Sequence, residues 1–68
     1  MRYYSTHRPV APGTFPKPDG NKVIEIVNFD KRQYCREAGR DCWGYIEYEH
    51  PLSEKQAVDY ELVREQLL

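Results

Sequence analysis

Val23-Ile24-Glu25-Ile26-Val27-Asn28-Phe29 alternates in two registers at once. One face carries Val23, Glu25, Val27 and Phe29, and the other carries Ile24, Ile26 and Asn28. β-branched residues on both faces predict a strand, and apolar groups on both sides predict a central one with cover on each face. Asp30 follows as an N-cap, with Gln33 three positions on to close a capping box. Tyr34, Cys35, Ala38 and Cys42 then fall on one stripe at helical spacing, and Gly39 is placed to end the helix in a left-handed cap. The expectation is a helix over 31–39.

Downstream, Trp43-Gly44-Tyr45-Ile46-Glu47-Tyr48-Glu49 returns to a period of two, and its aromatic density favours a strand. Ile46 and Tyr48 are expected to face the core, with the glutamates toward water. Pro51 stops that strand. Ser53 then reads as an N-cap with Gln56 closing the box, Leu52 stapling onto Ala57, and Glu54 near the positive end of the helix dipole. Past Tyr60 the pattern splits: Val58 and Leu62 would lie on one side of a continued helix, and Tyr60, Val63 and Leu67 on another. Either the helix ends near Tyr60 and 62–68 is an apolar tail, or the second stripe meets a partner.

Upstream, residues 2–8 alternate weakly around Tyr3 and Tyr4 and read as an edge strand or extended arm. Residues 9–20, PVAPGTFPKPDG, hold four of the five prolines. Proline removes backbone donors and fixes φ, so this is an extended loop pinned by Phe15 and closed by a Pro18-Asp19-Gly20-Asn21 turn. The assembled expectation is one small domain spanning 1–68. Its class is α+β, with a small, mainly antiparallel sheet of about three strands and two short helices. The order is strand, long loop, strand, helix, strand, helix. A parallel crossover around the first helix is the topological alternative.

The composition is globular, with 40% hydrophobic and 31% charged residues among 68. No apolar run approaches the ~18 residues of a membrane span, and Met1-Arg2-Tyr3-Tyr4-Ser5 carries no signal-peptide core. A cytoplasmic protein without a membrane partner is expected. The net charge of −1 hides an asymmetry: residues 1–40 balance to +4 and residues 41–68 to −5. A dedicated nucleic-acid binder is usually basic throughout, because phosphate neutralisation supplies most of its affinity. The simpler reading is that the two halves complement each other, and a net −1 is too small for the acidic half to act as a charge decoy. Two cysteines are too few for a disulfide-stapled secreted domain, so Cys35 and Cys42 read as reduced, buried thiols.

Catalytic constellations are absent from the pattern. Cys35, Cys42, His7 and His50 are the candidate metal ligands, with no Cys-x-x-Cys pair to anchor them, so no metal is expected. Arg36 beside Cys35 does not make a nucleophile without a base. Glu47 and Glu49 share a strand face at roughly 7 Å, but nothing marks a substrate cleft between them. No glycine-rich phosphate loop is present, and no cofactor is expected. Binding fits better than catalysis. Tyr3, Tyr4, Tyr34, Trp43, Tyr45, Tyr48 and Tyr60 supply the amphipathic rings favoured at interfaces, although a small core also draws on such rings for buried area.

The words Tyr4-Ser5-Thr6, Arg8-Pro9-Val10, Pro12-Gly13-Thr14-Phe15-Pro16, Val27-Asn28-Phe29-Asp30 and Gly44-Tyr45-Ile46-Glu47-Tyr48 occur together here. In these words the chain resembles small uncharacterised proteins of conjugative and other mobile elements of gut anaerobic bacteria. The stretch from Tyr48 to Leu62 is similar to segments of the larger polyvalent and defence-related proteins of such elements. The resemblance implies a genomic setting and no particular activity. The function expected is a non-enzymatic accessory module that binds another protein, or a second copy of itself, through Phe15, Pro16, Leu62, Val63 and Leu67. The alternative is weak nucleic-acid binding, with Tyr3 and Tyr4 stacking bases while Arg2 and Arg8 engage phosphates.

Overall fold

A computed structural model describes residues 1–66. Four strands and one short helix follow in the order β1 (Arg2–Ser5), β2 (Val23–Cys35), β3 (Arg40–Tyr48), α1 (Glu54–Asp59) and β4 (Leu62–Arg64). The strands form one antiparallel sheet in the spatial order β2-β3-β1-β4. The expected three strands, two helices and parallel alternative are therefore corrected: the molecule is mostly sheet.

The helix expected over 31–39 is absent. Its residues continue β2 to Cys35 and turn back into β3 through a loop at 36–39. The N–H of Gly39 donates to the carbonyls of Cys35 (2.9 Å) and Arg36 (3.2 Å), and Gly39 sits at φ +71°. The glycine does take the left-handed region, but it closes the turn ahead of β3 and ends no helix. An isolated nine-residue helix is marginal. Extending the hairpin instead pairs Gln33 with Cys42, Tyr34 with Asp41 and Cys35 with Arg40. Cys35, Ala38 and Cys42 come together because the chain folds back on itself.

Strand positions differ as well. Residues 2–5 lie inside the sheet, because β1 pairs with β3 on one side and β4 on the other. Val23–Phe29 belongs to an edge strand, and its Ile24 and Ile26 are 60% and 44% exposed. The register of β2 slips twice, between Val23 and Glu25 and between Asn28 and Gln33. At the second slip, Phe29 to Arg32 stand opposite Trp43 alone, with Phe29 packed against Tyr45. The apolar tail is corrected over its first residues, where Leu62–Arg64 form β4. Helix α1 ends at Asp59, with the expected Ser53 cap and Gln56 box in place.

Each face of the sheet carries a cluster. Tyr3, Ile46 and Leu62 point to one side, where Val10 and Phe15 of the proline loop, Tyr48 and Leu52 join them, with Ala57 packed against the group. Tyr4 points to the other side and meets Tyr45 and Val63, with Cys35, Ala38 and Cys42 of the hairpin end closing over it. The proline loop is fastened by Asn28, whose amide donates to the Val10 carbonyl (2.9 Å) and accepts its N–H (2.8 Å). The side chain thus offers Val10 what a neighbouring strand would.

Candidate functional site

Four of the five residues expected to bind a partner are packed within the described fold. Phe15 is 6% exposed inside the first cluster, and Pro16 is buried with its carbonyl accepting the Tyr48 hydroxyl at 2.6 Å. Leu62 belongs to the same cluster, and Val63 is half-buried in the second. Leu67 lies outside the described residues.

The four residues of the nucleic-acid alternative share no surface. Tyr3 is buried on one face, its hydroxyl accepting the Leu52 N–H at 2.8 Å. Tyr4 is buried on the other. Arg2 lies across the Tyr45 ring, 4.3 Å from its centroid, and bonds Glu47 at 3.2 Å. The Met1 ammonium and the Arg2 guanidinium together hold the Glu47 carboxyl below its usual range. Arg8 reaches Glu61 at 2.6 Å, with His7 beside it, and these contacts lower the Glu61 carboxyl too.

The cysteines are free and buried in facing arms of the hairpin. Burial pushes both thiols up, Cys42 to about 12, and each donates to a backbone carbonyl of its own arm, Cys42 to Arg40 at 3.4 Å and Cys35 to Gln33 at 3.8 Å. Such thiols are poor nucleophiles at neutral pH. Among the described residues, no three His, Cys, Asp or Glu side chains gather as metal ligands. No buried side-chain nitrogen or oxygen there lacks a partner. A depression of about 400 Å³ beside Pro18–Lys22 and Glu49 is surface relief around the turn.

What stands open is the outer edge of β2. Met1 and Tyr48 exchange both backbone hydrogen bonds, at 2.9 and 2.8 Å, which fixes the alternation along β3. Tyr48, Ile46 and Gly44 direct their backbone groups to β1, while Tyr45 and Glu47 direct theirs to β2. Opposite them, Glu25 and Val27 are consumed by the ladder, and Ile26 and Asn28 present N–H and C=O groups outward. Ile24 and Ile26 lie on this edge as two of the most exposed large apolar residues. Sequence reasoning missed it because apolar groups on both faces of a strand signal burial equally well.

No helix of the described residues is long and apolar enough to cross a membrane. No curated protein and no solved structure matches the chain. A family model described as Defence against restriction A C-terminal matches residues 1–66. The chain belongs to that family.

Proposed function

We propose that this domain is a non-enzymatic accessory module that binds another protein by accepting an extended segment along the outer edge of β2. The observation that carries this reading is the open backbone at Ile26 and Asn28 flanked by the exposed side chains of Ile24 and Ile26. An added strand gains main-chain hydrogen bonds, and alternate side chains rest on the isoleucines. Natural edges are usually blunted by charge, proline or cover. Here Glu25 is turned aside, its carboxylate accepting the Tyr45 hydroxyl at 3.1 Å. The absence of a convergent polar cluster among the described residues favours binding over catalysis. The family description supports a setting in phage or mobile-element defence against restriction.

A photo-crosslinking residue placed at position 24 or 26 is expected to capture a partner that the same residue at exposed Val58 does not. Ile26→Asp should abolish the capture while leaving the circular dichroism spectrum unchanged. Equal capture at 26 and 58, or capture that survives Ile26→Asp, overturns the reading.

A further inference from the structure

The sheet has two outer edges, β2 and β4, and the chain treats them differently. β4 is three residues long and carries Arg64. Just beyond it, the N–H groups of Glu65 and Gln66 donate to the carbonyls of Arg2 (2.9 Å) and of Glu37 in the hairpin loop (2.7 Å). Short, charged edges resist further pairing. The edge of β2 between its two slips, residues 25–29, holds no lysine, arginine or proline. Its one charged side chain, Glu25, is engaged by the Tyr45 hydroxyl at 3.1 Å.

This stretch is complementary to itself. Ile26 and Asn28 direct their backbone groups outward, with Val27 between them. An antiparallel two-fold axis at Val27 therefore sets Ile26 of one copy against Asn28 of the other, once on each side of the axis. Each such pair exchanges two backbone hydrogen bonds, so four bonds close and every outward group of Ile26 and Asn28 finds a partner. The same register sets Val27 against Val27 as a non-hydrogen-bonded pair, where side chains stand closest. Glu25 falls opposite Phe29 of the second copy, so no like charges meet within the stretch. Other registers lose this fit. Centring on Ile26 puts Asn28 against Ile24 at the first slip, and centring on Asn28 runs into the slip at residues 29–32.

Side chains beside the axis are short of cover in one copy and gain it in two. Val27 stands opposite Tyr45 in the sheet, and the Tyr45 ring packs against Phe29 with centroids 6.4 Å apart. All three lie on one face and all three are half-buried. Across the axis, the two Val27 side chains join the two Phe29–Tyr45 pairs into one apolar band. We infer that the β2 edge takes a second copy of this chain, paired antiparallel about Val27 so that two four-stranded sheets become one. The inference rests on the strand-addition reading above and names the occupant. The pairing is isologous and closes on itself, leaving the blunted β4 edges outermost, so it gives a dimer and no fibre. Five residues a side span about 17 Å, well short of a standard interface, so the dimer is weak and depends on concentration.

The test is sedimentation equilibrium of the full chain from micromolar to millimolar concentration, where the mass is expected to approach twice that of one chain. Ile26→Asp should hold it at one chain with the circular dichroism spectrum unchanged. The register is read by cysteine cross-linking under oxidised glutathione. Val27→Cys sets two thiols across the axis at a Cα separation of about 4.5 Å, inside the range of a disulfide, and should link the chains. Glu25→Cys lies on the same face but roughly 14 Å along the strand from its own counterpart, and should not link. The parent, whose Cys35 and Cys42 are buried, is the blank. A single-chain mass at millimolar concentration, or Val27→Cys linking no faster than Glu25→Cys, overturns the inference. The strand-addition reading survives either result if the photo-crosslinking residue at position 26 captures a different protein, and falls with it if nothing is captured.

Discussion

A few side chains substitute for missing secondary structure. Asn28 is the plainest: its amide completes both backbone groups of Val10 and thereby anchors the proline loop to β2. Asn28→Ala is expected to cost about 1–3 kcal/mol in chemical denaturation, because the Val10 groups lose their partner. Tyr48→Phe should cost about 1–2 kcal/mol by stranding the buried Pro16 carbonyl. Gly44 is held by space, not by dihedral freedom. A Cβ there would stand 2.2 Å from the Val27 carbonyl oxygen, so Gly44→Ala must push β2 from β3. A loss of about 1–3 kcal/mol is expected, with cross-peaks from the β2–β3 pair moving most in an NMR spectrum.

Single elements show what could be read beforehand and what could not. The start of α1 was legible, since Ser53, Gln56 and Glu54 act locally. Ser53 accepts the Gln56 N–H at 3.1 Å, and Gln56 accepts the Ser53 N–H at 3.2 Å. Ser53→Ala should therefore cost about 1 kcal/mol, measured as a lower urea midpoint. The strand around Trp43 to Tyr48, the turn at Pro18–Asn21 and the buried Ile46 and Tyr48 were equally local. The stretch 30–39 misled because spacings of three, four and seven residues gather side chains in a helix and also, by chance, in a folded-back hairpin. Asp30 and Gln33 imitate a cap without an element to cap. The edge of β2 was hidden for a different reason: a strand's neighbours are set by β1, far away in sequence, which inserts beside β3 and pushes β2 outward.

At the scale of the molecule, two small clusters share one sheet, and each holds a titratable group that burial keeps neutral. Cys42 is pushed up to about 12 from 9.0 and Tyr48 to about 12 from 10.0, in both cases chiefly by desolvation. The unfolded chain releases these protons first, so their contribution to stability is complete below about pH 9 and is lost as the pH climbs toward 12. Denaturation midpoints should be flat with respect to these groups below pH 9 and fall above it, with Tyr48→Phe making the fall above pH 10 shallower.

The placement of β1 between β3 and β4 also orders events in time. Its pairing partners are Gly44–Glu47 and Leu62–Arg64, so during synthesis the segment leaves the ribosome long before either neighbour exists. Until Glu47 emerges, Tyr3 and Tyr4 have no sheet to enter, and a nascent chain arrested before β4 leaves the second edge of β1 open to solvent and to chaperones.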